Sequence, residues 1–403
     1  MSELPRTIDV YDQPHQFEPL LPTRQLDELG RSARPVIEAA HRLQAAAHPS
    51  TLQELRALVR AMNSYYSNRI EGQSTHPVHI ARALRADFSD QPDIARRQRL
   101  ALAHIQAEEA LETLITSEPQ ALHSQSLILA HQTLYERLSV EDRRTDEGMA
   151  VVPGQLRAQD VMVHRHQPPT AASLPRFLAR ADACYSKPWG LDQLLVVAAC
   201  SHHRLAWIHP FLDGNGRACR LYTHAVLRSL TGGLWSVNRG FARQRDDYYR
   251  HLSEADMARQ GDLDGRGNLS ERMLLAWCGF FIDICRDQVE FMTRMLNPDA
   301  LKDHLAALIT IRSHQRGTPD YRPEAIQPLQ HVIALGPVTR GEFLQMTGLA
   351  ERTGRKLLSQ LLADGLLQSD TPKGPVRIGF PLDTLGVLFP NLYAEAASAP
   401  VNY

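Results

Sequence analysis

Lysine is nearly missing from this sequence. Of 44 basic residues in a chain of 403, four are lysine (Lys187, Lys302, Lys356 and Lys373) and the other 40 are arginine. Arginine is the planar, always-charged cation that forks onto phosphate and carboxylate, although the excess as a whole reads first as codon bias. Net charge is missing too. The 45 acidic residues bring the balance to −1, which excludes a chain-wide polybasic surface for nucleic acid or anionic membrane. Long apolar runs are absent: the longest, around Leu194 to Cys200, falls far short of the roughly 20 residues of a bilayer span. The opening residues Met1 to Arg6 lack the basic and apolar regions of a secretory signal. Cysteine is scarce and odd in number, five with no CxxC spacing, so buried free thiols and a cytoplasmic setting are expected. No GxxxxGK[ST] segment occurs, and a nucleotide site cannot rest on a P-loop.

What remains is an ordinary globular mixture, 43% hydrophobic and 22% charged, long enough for two to four domains at roughly 100–200 residues each. Residues 1 to about 25 hold four prolines without periodicity and read as an extended arm. Apolar spacings of three and four then predict helices over Leu52–Met62, Arg96–Leu114, Ser126–Leu138, Ser173–Tyr185 and Met273–Ile284. Leu191–Trp207 is apolar on most of its surface and is expected as a central buried helix. Between them, Asp160, Val161, Met162 and Val163, flanked by Pro153-Gly154 and Pro168-Pro169, predict a small β-hairpin. His164 and His166 there suit a solvated strand face, and His202 and His203 suit packing rather than metal ligation. Past Asn297 the composition changes. Gly317-Thr318-Pro319-Asp320 and Pro323 predict a linker over 298–325, followed by helix, turn, helix and hairpin over 326–403, the layout of a winged helix.

The densest chemistry lies in His209-Pro210-Phe211-Leu212-Asp213-Gly214-Asn215-Gly216-Arg217-Ala218-Cys219-Arg220. Gly214-Asn215-Gly216 lets backbone amides turn inward at a helix start, which makes an anion cradle. Arg217 and Arg220, three apart, share one helix face and reach a polyphosphate together. Asp213 supplies the hard oxygen that Mg²⁺ uses beside substrate phosphates. His209 is suited to taking a proton from a hydroxyl.

The segment resembles the signature of the Fic (filamentation induced by cAMP) family, HxFx[DE]GNGRxxR, with all eight specified positions filled. The likeness extends over roughly residues 30 to 290. It implies a mainly α fold, a Fic-type helical bundle with a small β-hairpin flap, here followed by a C-terminal winged helix-turn-helix domain. It divides the chain into an N-terminal helical region (1–115), a catalytic core (116–297), the linker and the final module. The implied reaction moves AMP from ATP to a Ser, Thr or Tyr hydroxyl of a target protein and releases pyrophosphate. His209 would be the base, Asp213 the Mg²⁺ ligand, and Gly214, Asn215, Gly216, Arg217 and Arg220 the phosphate binders. Phe211 would anchor the loop in the core, and Asp160 to Val163 would align the target by strand addition. Gly154-x-x-Arg157 also resembles the family. Arg245-x-x-Tyr248-Tyr249 resembles the stretch that lines base and ribose, with Gln244 where many relatives have Asn.

Ser67-Asn68-Arg69-Ile70-Glu71-Gly72 is similar to the family's inhibitory motif, [ST]xxxE[GN], on a helix at about 55–72. The resemblance implies that Glu71 pairs with Arg220 and takes the guanidinium meant for the γ-phosphate, with Ser67 steadying the helix. Two other readings stay open: a hydrolase that removes AMP with water activated by Glu71, and a nucleotide-sensing DNA-binding regulator. From Tyr321 to Tyr403 seven bases meet seven acids, without the basic stripe of a DNA reader. Arg352, Arg355 and Lys356 do cluster on the second helix, but protein docking or homodimerisation ranks ahead of DNA. Automodification is a further expectation.

Overall fold

The three-and-four spacing of apolar residues folds into helices that bury one continuous hydrophobic core. The computed structural model describes residues 10–163, 166–315 and 320–396. At its centre lies the helix Leu191–Ile208, in which Leu194 to Leu205, Trp207 and Ile208 are buried. Apolar over most of its surface and burying even Ser201, His202, His203 and Arg204, it must be wrapped. Leu26–Gln44, Leu174–Tyr185, Asn215–Val226 and Glu271–Met295 pack around it. Ser124–Glu136 lies on Asn215–Val226, and Pro49–Ile70 lies between Pro92–Leu114 and Val237–Arg243. Of the expected extended arm, residues 1–9 lie outside the described residues, and the rest carries a 3₁₀ turn at Pro14–Phe17 and is docked: Phe17 is fully buried, and Tyr185 donates its hydroxyl to the Leu20 carbonyl at 2.7 Å.

Local chemistry sets the ends of the Pro49–Ile70 helix. Pro49 occupies the first turn, where its missing N–H costs nothing, and the His48 ring accepts from Ser50 N at 3.2 Å. The cap is therefore His48, and the helix starts earlier than residue 55. At the other end Gly72 adopts φ +74°. Gly72 N donates to Arg69 O (3.0 Å) and Gln73 N to Asn68 O (2.9 Å), the paired bonds of a Schellman stop. This places Glu71 at the helix end, where its side chain points outward from the last turn.

Three expectations are corrected. Residues 298–325 are not a linker: Pro298–His314 is a helix, capped by the Asn297 carboxamide accepting from Asp299 N and Ala300 N at 3.0 Å. Leu301, Leu305, Leu308 and Ile309 are buried, and that helical spacing outweighs the punctuation of Pro319 and Pro323. Of the expected linker signals, Gly317, Thr318 and Pro319 lie outside the described residues. Of the expected hairpin the described residues show a single antiparallel bridge, Val163 to His166, and His164 lies outside them. His166 is no solvated strand residue: its Nε2 meets the Trp207 carbonyl at 2.7 Å.

Beyond 326 the order is Ile326–Leu335, Arg340–Thr347, Glu351–Ala363, then strands Leu367–Gln368 and Arg377–Ile378, antiparallel with Leu367 opposite Ile378. Thr339 and Glu342 form a reciprocal capping box on the second of these helices. These elements pack against Pro49–Ile70: Thr51 donates to the Ile333 carbonyl at 3.0 Å, and Glu54 pairs with Arg377 at 3.1 Å.

Candidate active site

The site begins where the central helix ends. His209 follows Ile208 with φ 49° and ψ 60°, a left-handed conformation that costs a non-glycine residue roughly 1–2 kcal/mol. Its neighbours hold it there. Arg157, buried, donates from Nε to the His209 carbonyl and from its backbone N to the Pro210 carbonyl, both at 2.9 Å. Thus the Gly154-x-x-Arg157 segment braces the turn that aims His209. Burial pushes the His209 imidazole down to about 4, helped by the neighbouring Arg157 guanidinium. At neutral pH the ring is uncharged and able to accept a proton.

Phe211 is fully buried and stacks on His131 with ring centroids 3.9 Å apart. Asn215 does something other than contact phosphate with its side chain. Its Oδ1 accepts from Phe211 N and its Nδ2 donates to Phe211 O, each at 2.9 Å. The carboxamide thereby closes the loop on itself, and only the Asn215 backbone amide is left for the cradle. Gly214 has φ +76°, and a Cβ there would enter the ring of Tyr135. The helix Asn215–Val226 begins directly after it, so its first N–H groups have no intrahelical partner.

Asp213 is held from two sides by one helix face. Tyr135 donates its hydroxyl to Oδ2 at 2.7 Å. His131 Nδ1 accepts from Gly154 N at 2.9 Å, so Nε2 carries the proton and donates to the Asp213 carbonyl at 3.2 Å. The carboxylate is 40% exposed and lines a cavity of about 730 Å³ together with His209, Arg217, Glu71 and Gln73. One carboxylate beside an anion cradle fits Mg²⁺, which keeps most of its shell as water and substrate phosphate. Among the described residues, Glu108, Glu112 and His224 also sit close enough to hold a metal, but Glu112 is already paired with Arg60 at 2.7 Å.

The two arginines are both engaged by the end of the Pro49–Ile70 helix. Arg220, 1% exposed, donates from Nη2 to Glu71 Oε1 at 2.6 Å, from Nη2 to the Ser67 carbonyl at 3.0 Å and from Nε to Ser67 Oγ at 3.0 Å. Burial raises the Glu71 carboxyl, but Arg220 and Arg217 outweigh it and hold the group below the usual carboxylate range. Gly216 leaves room for this pair, since a Cβ would collide with Glu71 Oε1. Arg217 donates from Nη1 to Gln73 Oε1 at 2.8 Å. Its Nε is buried without a hydrogen-bond partner among the described residues, an unsatisfied donor at the mouth of the cradle. Gln73 was not among the sequence-derived site residues, and its only signal is its place one residue beyond the Gly72 stop.

The expected base-contacting residues are placed differently. Tyr248 is buried, donating or accepting at His202 Nε2 (3.0 Å) and stacked on Phe241 at 4.4 Å; it belongs to the core. Gln244 is exposed and does not line the cavity. Tyr249, one residue on, faces the inhibitory-like segment and donates to the Ile70 carbonyl at 3.4 Å. Asp160 accepts from Ala171 N at 2.7 Å, while Val161, Met162 and Val163 line the cavity.

Residues 121–227 match the Fic/DOC family. The protein adenylyltransferase Fic of Nematostella vectensis is 30% identical over 195 residues, 48% of this chain and 42% of that protein. That of Drosophila ananassae is 31% identical over 111 residues, 27% of this chain and 21% of that protein. The chain therefore spans less than half the length of these curated relatives. Among solved structures, a Fic family protein from Desulfovibrio desulfuricans G20 aligns over 91% of this chain and 98% of its own, at 19% identity and a TM-score of 0.49. Fic-1 (aa134–508) of C. elegans aligns over 68% and 73%, at 17% and 0.49.

Proposed function

Through residues 121–227 this chain belongs to the Fic/DOC family, and from that premise we propose that it is a protein adenylyltransferase held in check by Glu71. The observation that carries the reading is the single cavity that joins an uncharged His209, the carboxylate of Asp213 and the buried, part-unsatisfied guanidinium of Arg217. His209 takes the proton from a Ser, Thr or Tyr hydroxyl of a target protein. The hydroxyl oxygen attacks the α-phosphorus of ATP, and pyrophosphate leaves. The amides at the start of Asn215–Val226 and the Arg217 and Arg220 guanidiniums neutralise the phosphates, which is most of what such a transfer asks of a protein. Asp213 would hold Mg²⁺, which supplies charge neutralisation on the phosphates when bound.

In the braked state Glu71 occupies Arg220, so a nucleotide entering the cavity lacks one of its two cationic partners. Residues Val161 to Val163 line the same cavity as His209, and we read them as the segment that receives the target. Glu71 also lines the cavity with His209, which favours a second reading: a water positioned by Glu71 removes AMP from a modified target. We read residues 326–396 as a winged helix used for docking before DNA. Incubation with labelled ATP tests the main reading, with label appearing on protein under the transfer reading and leaving a pre-modified protein under the second.

A further inference from the structure

The helix that bears Ser67 and Glu71 is gripped from outside the Fic region. Tyr66, fully buried, donates its hydroxyl toward the Leu392 carbonyl at 3.1 Å and Glu395 Oε2 at 2.7 Å. Glu395 Oε1 in turn pairs with Arg243 Nε at 3.2 Å. Tyr393 meets Tyr65 edge to face, with centroids 5.3 Å apart. Arg239, stacked over Phe291 at 3.5 Å, reaches the Asn391 carbonyl at 3.4 Å. Near the other end of the helix stand the Thr51–Ile333 bond and the Glu54–Arg377 pair.

We propose that residues 391–396 form a clasp that keeps the Pro49–Ile70 helix in its braking position, which makes the C-terminal module a regulatory input to the active site. The inference rests on the adenylyltransferase reading. Tyr66 adjoins Ser67 and stands four and five residues before Ile70 and Glu71, one turn along the same helix. A tether on Tyr66 therefore fixes the axial and rotational setting of the turn that presents Glu71. The Glu71–Arg220 contact is a short charge-assisted bond, which a shift of about 1 Å breaks. From the catalytic side the turn is held by Arg220 on Ser67 and Glu71 and by Arg217 on Gln73, while the Tyr249–Ile70 bond is long at 3.4 Å, so its setting depends on where the rest of the helix is anchored. Any ligand of the C-terminal module that draws 391–396 away then favours the released state, by as much as it prefers that state.

The test uses the full chain with Tyr66→Phe, which keeps the buried ring and loses both bonds, and Glu395→Arg, which sets a cation against Arg239 and Arg243. Label incorporation from ATP and deuterium exchange of the amides of residues 67–73 are read together, with Arg82→Ala, in a surface ion pair with Asp87, as a bystander. Loss of one charge-assisted bond is expected to raise incorporation about tenfold and to speed exchange at 67–73. Neither variant is expected to add to Glu71→Gly. If Glu71→Gly raises incorporation while both clasp variants keep the original rate and exchange, the clasp is wrong and the brake stands. If Glu71→Gly itself raises nothing, the adenylyltransferase reading has failed, and exchange alone decides: unchanged protection at 67–73 overturns the clasp, and faster exchange upholds it.

Discussion

Oε1 of Glu71 lies 2.6 Å from Nη2 of Arg220, in space that opens because residue 216 is glycine. The relationship links two segments 149 residues apart in the chain, and in the proposed function it is the brake, since the guanidinium suited to a phosphate is already occupied by a carboxylate.

Gly216→Ala puts a Cβ against Glu71 Oε1. The expected result is a loss of about 1–3 kcal/mol of stability, most of it recovered when Glu71→Gly is added. A thermal-denaturation double-mutant cycle measures the coupling, and additive losses would show that the two residues do not share the space.

His209→Ala is expected to abolish transfer while leaving nucleotide affinity within about twofold. In the proposed reaction the imidazole acts on the hydroxyl proton, and other residues bind the phosphates. Calorimetric titration of ATP beside a transfer assay separates the two effects.

The pH dependence follows from the two groups. A His209 held near 4 is neutral throughout the physiological range, so kcat/KM of the Glu71→Gly variant should fall only as pH drops through about 4, with no limb near the ordinary histidine value of about 6.5. The Glu71 carboxyl is lowered, so its pair with Arg220 is fully formed above the ordinary carboxylate value and is lost only as pH falls below it. Wild-type inhibition should therefore be constant from about pH 6 to 9.

Asn215→Ala is expected to lower stability by about 2–3 kcal/mol, because it leaves the backbone N–H and carbonyl of buried Phe211 without partners. Chemical denaturation measures it. Transfer should fall together with stability, since the loop that aims His209 depends on that closure.

Much of this was legible in the sequence, for identifiable reasons. Leu191–Ile208 announced itself because a helix apolar over most of its surface has its place in the core. The loop from His209 to Arg220 stood out because glycines, arginines, a carboxylate and a histidine rarely fall within twelve residues without a shared ligand. Other parts depend on tertiary context. Gln73 carries no motif, and only the Schellman turn at Gly72 brings it to Arg217. Tyr248 and Tyr249 are neighbours in sequence, and helix phase alone sends one into the aromatic core and the other toward Ile70. The Pro298–His314 helix was hidden behind proline and glycine signals just beyond it, while Val161 to Val163 had strand-like composition without a partner strand long enough to pair.

The most direct measurement is incorporation of labelled AMP by purified full-length chain and by its Glu71→Gly variant, with ATP and Mg²⁺. Release of Arg220 predicts label on the variant, with mass spectrometry finding one AMP added to a hydroxyl side chain, and little label on the wild type. Equal incorporation by the two proteins, or none by either, would contradict the account.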